Sequence, residues 1–254
     1  MPPTSPQHLI NRYEKITDQR YTIEFLCNIS YRLPAQTRNI DSLTAVLENH
    51  SQQDTVRANL LNQIAFEYKQ VDLEKSMAFA KQALELASSL KFYEAEPKAH
   101  RTMGSYYYQK GDYANALQAF DLSWQTATTV QDTLTMAWAL NGKGTIYHSQ
   151  SNYPQALDYY LQAVQLFEKT GRNKEAASIM GNVGVLFKEL GELNSALIYF
   201  ERGLKIQEQR GDKNEIARFL NKLAAFTATR KTMAKPKKHT SVVWHLQRRK
   251  AITI

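Results

Sequence analysis

Small and aromatic side chains recur along this chain with a period of 40 residues. Gly104, Gly144, Gly184 and Ala224 form one column, and Ala116, Ala156 and Ala196 form a second. Tyr107, Tyr147 and Phe187 form a third, Phe120, Tyr160 and Phe200 a fourth, and Leu117, Leu157 and Leu197 follow the alanines. A fixed period of this length is the signature of one supersecondary unit stacked on itself. Within the unit, apolar residues keep helical spacing on both sides of a short break. The break carries Gly111, Ser151 or Gly191, then Asp112, Asn152 or Glu192, a left-handed helix end followed by a helix-starting side chain. Gly171 and Gly211 close the second helix in the same phase. The pattern predicts two antiparallel helices, A and B, that cross closely at Gly104 and Ala116, with Tyr107 and Phe120 filling the space on either side.

Small-then-aromatic on helix A and A-x-x-x-[FY] on helix B resemble the tetratricopeptide repeat. At 40 residues the unit is longer than the ~34 of that repeat, about an extra turn per helix. The resemblance implies an all-α, right-handed superhelical solenoid of antiparallel helix pairs that binds protein or peptide and does no catalysis. The expected organisation is a signal-like or disordered segment at 1–35, a capping helix at 36–53, a solenoid at 54–225 and a basic tail at 226–254. The cap rests on Ile40, Leu43, Val46 and Leu47 behind Asp41. The repeats run 54–91, 93–131, 132–171 and 172–211, with helix A of a fifth from 212 to 225. The first has a loop one residue shorter than the others, Tyr68 to Ser76 against Tyr107 to Ala116.

The stretch from Leu33 to Ala65 (LPAQTRNIDSL, continuing into DTVRANLLNQIA) is similar to the sensor arm of Bacteroidetes-type signalling proteins. There such repeats precede a membrane helix and a histidine kinase, cyclase or DNA-binding effector. The resemblance implies a sensor or adaptor role and an exported setting. The apolar run from Ile23 to Ala35 is broken by Glu24, Asn28 and Arg32, and no effector follows the repeats, which favours a cytoplasmic chain. The alternative is a free-standing peptide receptor with the same groove.

Composition changes this picture little. One cysteine, Cys27, excludes a disulfide framework, and no stretch reaches the ~18 apolar residues of a membrane span. The net charge of +8 would suggest a polyanion partner, but eight basic residues and no acid lie beyond residue 225 (Arg230, Lys231, Lys235, Lys237, Lys238, Arg248, Arg249 and Lys250). The repeats are therefore neutral, and polyanion binding is a second alternative that rests on the tail alone. The tail also loses the repeat: Thr227, Thr232, Pro236 and Thr240 stand where an aromatic, Asn or Asp, Ala and an aromatic are due. Codons read one frame over accommodate the repeat at each of these positions, so the tail is expected to be a frameshift product. Helix A of the fifth repeat would then present Phe219, Leu220 and Leu223 to a missing helix B, an apolar end through which copies could associate.

No catalytic, metal or cofactor constellation is expected. Asn141-Gly142-Lys143-Gly144-Thr145 lacks the upstream glycine and the strand-to-helix setting of a phosphate loop, and the six histidines lack metal-ligand spacing. The tyrosine-rich runs at 106–108 and 159–160 are expected to serve core and surface. By the geometry of the resembled family, helix-A positions flanking the small column line the concave groove. These are Arg101, Ser105 and Tyr108, then Asn141, Thr145 and His148, then Asn182, Val185 and Lys188, and finally Asn221. Asparagine amides there can both donate to and accept from an extended peptide backbone.

Overall fold

A computed structural model describes residues 39–232. The segment at 1–35 and most of the basic tail, with its expected frameshift, lie outside the described residues. The described residues are helical throughout, apart from short connections. They fall into two units that meet inside one helix, residues 39–179 and residues 180–232.

The first unit begins with α1 (39–49). Asp41 lies inside this helix, where its carboxylate opposes the positive end of the dipole, and Ile40 and Leu47 are buried. Next come α2 (Thr55–Tyr68) and α3 (Leu73–Leu90), a 3-10 turn (Tyr93–Ala95), α4 (Glu96–Gln109) and α5 (Tyr113–Thr129). Then follow α6 (Thr133–Ser149), α7 (Tyr153–Lys169) and the first half of α8 (Asn173–Glu189). Helices α2 and α3, α4 and α5, and α6 and α7 form A–B hairpins. Each A helix also packs on the next, α2 on α4 and α4 on α6. The second unit contains the rest of α8, α9 (Leu193–Arg210) and α10 (Lys213–Thr232), with α9 packed on α10.

Short-range chemistry sets these boundaries. The side chains of Asp54, Asp72, Asp112 and Asp132 accept the amide N–H three residues on, at 2.9, 3.0, 3.2 and 3.0 Å. Helix ends repeat every 20 residues in the left-handed conformation: Lys91, Gly111, Gln131, Ser151, Gly171, Gly191 and Gly211. At each, the following N–H closes back on the last turn, as Asp112 does to Tyr107 O (2.9 Å) and Asp132 to Ala127 O (2.9 Å). Gln131, at φ 58°, fills a slot that glycine occupies at four of the seven positions. Gln131→Gly is expected to gain about 0.5–1 kcal/mol by removing the Cβ clash. In thermal melts this should appear as a rise of about 2 °C; an unchanged or lower midpoint would show that the slot carries no strain.

The packing columns meet as large against small. Phe120 lies against Gly104, so closely that a Cβ there would sit 3.0 Å from the ring. Tyr160 fills the same role for Gly144 at 2.7 Å and Phe200 for Gly184 at 2.5 Å. Two members of the third column stack on helix B twelve residues later: Tyr147 on Tyr159 and Phe187 on Tyr199, both with centroids 5.5 Å apart. Tyr159 and Tyr160 thus divide into a stacking partner and a fully packed residue. In the second unit, Phe219, Leu220, Leu223 and Phe226 of α10 are all buried, with Phe226 edge-on to Phe200 at 6.1 Å. The apolar end expected to stand open is therefore covered. Helix α10 also runs past residue 225, because Phe226 continues its buried face.

Candidate peptide-binding face

The sequence-predicted positions flank the small-residue column on each A helix. In the first unit Arg101, Ser105 and Tyr108 stand on α4 and Asn141, Thr145 and His148 on α6, all half-buried. Their spacing puts each trio on one helical stripe. The hydroxyls are partly engaged by their own helices, Ser105 Oγ donating to Arg101 O (3.2 Å) and Thr145 Oγ1 to Asn141 O (2.9 Å). Tyr160 hydroxyl in turn donates to Thr145 Oγ1 (3.3 Å). Tyr108 reaches across to α6, its hydroxyl 3.0 Å from Ser149 Oγ. The His148 ring stands edge-on to Tyr160 at 6.5 Å. Asn141 and Arg101 bring an amide and a guanidinium to the same position on the two helices.

In the second unit Asn182, Val185 and Lys188 are half-buried on α8, and Asn221 is exposed on α10. Asn182 stands two residues before Gly184, whereas Arg101, Asn141 and Asn221 stand three before their column residues. One residue is about 100° of helix, so Asn182 lies off their stripe. The matching position is Gly181, whose backbone is covered by the Lys222 ammonium; a Cβ there would lie 2.5 Å from Nζ. Burial holds the Lys222 pKa below its ordinary value.

The phosphate-loop-like segment is a packing device. Gly142 lets the Phe120 ring rest on its backbone. The Lys143 ammonium contacts Asp121 at 2.5 Å and sits 4.6 Å above the Tyr159 ring. Burial works against that charge, yet the hydrogen bonds to Asp121 and Tyr159 hold its pKa above the usual lysine range.

Sequence reasoning missed one further cluster. The shorter first loop puts Phe66 in register with Ser105 and Lys69 with Tyr108, each 39 residues earlier, so α2 carries the same stripe. Phe66 is 44% exposed. The Lys69 ammonium lies 4.8 Å from its ring centroid and the Arg101 guanidinium 5.3 Å. Burial lowers the pKa of both cations, and the Arg101 charge lowers that of Lys69 further. A 39-residue count from Ser105 and Tyr108 would have revealed them.

Among the described residues no group of three or more potential metal ligands gathers, and no helix is long and apolar enough to cross a membrane.

An array of A–B hairpins crossed at a small residue defines the class of helical-repeat proteins. Residues 135–209 match the family described as tetratricopeptide repeat, so these residues are tetratricopeptide repeats. No curated protein matches the sequence. Among solved structures, it is similar to a Rap protein complexed with competence and sporulation factor. That match has a TM-score of 0.68 and 18% identity, and covers 87% of this chain and 67% of the other. NprR in complex with its cognate peptide NprX matches with a TM-score of 0.61 and 21% identity, over 85% of this chain and 65% of that one. A signal-transduction ATPase with a tetratricopeptide repeat sensor from Pyrococcus horikoshii gives 0.59 and 16%, over 88% and 34%. The chain thus spans between about a third and two thirds of the length of these proteins, and identities this low establish the shared fold alone.

Proposed function

We propose that the chain is a non-catalytic peptide-binding scaffold whose ligand lies along the helix-A stripe of α2, α4 and α6. The observation that carries this is the stripe itself: Arg101 and Asn141 stand half-buried at matching positions on adjacent A helices. An amide at that position can hold a peptide backbone from both sides, as donor and acceptor. Two of the fold relatives are described as bound to a peptide or a signalling factor, which supports the same use of the same architecture. A role as the sensor or adaptor arm of a signalling protein is the finer reading, supported by the sensor-arm resemblance at 33–65 and by the repeat sensor of the ATPase relative.

The test uses the full chain to select binders from a random nonapeptide library. Asn141→Ala should weaken the selected peptides about tenfold, the ~1.4 kcal/mol expected of one amide hydrogen-bonding a backbone. Helicity should not change. Equal affinity of the variant for every selected peptide would overturn the proposal.

A further inference from the structure

One buried carboxyl oxygen in the second unit lacks the partner that the same place in the repeat has elsewhere. In the first unit Asp121 of α5 meets the Lys143 ammonium of α6 at 2.5 Å. Forty and eighty residues on, the Asp121 column continues as Leu161 and Glu201, and the Lys143 column as Val183 and Leu223. The two columns thus read a charge pair, then two apolar residues, then a carboxylate on α9 matched with a leucine on α10. Leu223 is 2% exposed, and with Phe219, Leu220 and Phe226 it makes up the buried face of α10. Glu201 Oε1 is buried and has no hydrogen-bond partner among the described residues. An ionised carboxylate so placed gives up water without gaining a donor, whereas the protonated form carries no charge to desolvate.

Neighbouring charges do not make up the loss. In the second unit α9 packs on α8, where Phe200 covers Gly184, and on α10. The charged side chains these two helices bring are Lys188 and Glu189 on α8 and Lys213, Glu215, Arg218 and Lys222 on α10. Arg218 is held by Glu215 at 2.9 Å, and the Lys222 ammonium lies 5.5 Å from the Phe219 ring centroid. On α9 itself the Arg202 guanidinium lies over Tyr199 at 5.8 Å, and Lys205, one turn beyond Glu201, is exposed. Burial alone raises the Glu201 pKa above its ordinary 4.5.

We infer that Glu201 is a pH-sensitive latch for α10: the uncharged carboxyl lets α10 dock closely on α9, and its ionisation loosens that docking. A carboxyl whose pKa is raised in the docked state keeps its proton there longer than in the open state. The stability of docking is therefore full below about pH 4.5 and is lost as pH rises through the raised value. Lys222 works in the opposite direction, because burial lowers its pKa and penalises its charged form at low pH. No histidine lies between residues 180 and 232, so no imidazole titrates in this unit. Helix α10 is the last of the described helices, and its release would uncover Phe200, which Phe226 meets edge-on. This end of the array thus closes in acid and opens toward neutral pH.

Hydrogen exchange of the full chain tests this, read as protection factors of the α10 amides so that the intrinsic effect of pH on exchange is removed. Protection should fall at least about fivefold between roughly pH 5 and pH 7. Glu201→Gln keeps the shape without the ionisation and should leave less than about a twofold change. Glu201→Leu, which copies Leu161, should also flatten the pH dependence and should protect α10 better than the wild type at neutral pH. That second variant guards against a folding defect peculiar to the glutamine. Equal wild-type protection at the two pH values, or a fall that persists in either variant, would overturn the latch.

Discussion

Phe120→Ala is expected to remove about 3–5 kcal/mol of stability, the usual cost of emptying a buried phenylalanine site. The side chain is 4% exposed, and its ring rests on the backbones of both Gly104 and Gly142, so one ring from α5 sets the spacing of α4 and α6. Two helices cannot both collapse into the space it leaves. Repeat arrays lose an interface as well as a unit when a shared residue goes, so urea unfolding should broaden as well as shift. The glycines make the test specific. Gly142→Ala alone should destabilise despite the ~1 kcal/mol that alanine gains in a helix, because its Cβ would enter the Phe120 ring. Combined with Phe120→Ala, the same methyl should fill vacated space and restore stability. Additive effects would show that ring and glycine are not in the contact described.

Gln207→Met should have the second-largest effect and the opposite sign. Gln207 is fully buried in α9, and neither its amide nitrogen nor its amide oxygen has a hydrogen-bond partner among the described residues. An unpaired buried polar group costs about 1–3 kcal/mol, and methionine keeps the length and flexibility without the amide. The 40-residue column agrees: Ala87, Ala127 and Phe167 are all buried at the matching positions, so glutamine is the only polar member. A gain of about 1–2 kcal/mol in chemical denaturation is therefore expected. A loss would mean that water or a ligand serves the amide.

The positions of the proposed stripe are legible in the sequence. Asn141 and Arg101 follow from counting three residues back from the glycine column, since helical geometry turns a count into a direction. Asn182 stands two residues before Gly184, and one residue is about 100° of arc, so it does not share their helical position, which Gly181 holds. The α2 end was missed for a different reason. A deletion of one residue in the first loop displaced Phe66 and Lys69 from the 40-residue phase, and a strict period passes over them.

What the sequence determined by itself is whatever depends on neighbours along the chain. The period, the helix pairs, the capping aspartates and the left-handed ends each follow from residues within one or two turns of one another. The tertiary structure decided what depends on partners distant in the chain. It placed Phe120 on Gly142, and it set Lys143 on Asp121 and Tyr159 rather than beside a phosphate. It covered the apolar face of α10 and brought Lys69 and Arg101 to a single ring. The physical reason is that a helix fixes the angle of each side chain about its own axis. Which side chain meets it from the next helix depends on how closely the two axes approach, and the small and aromatic residues at the crossings set that distance.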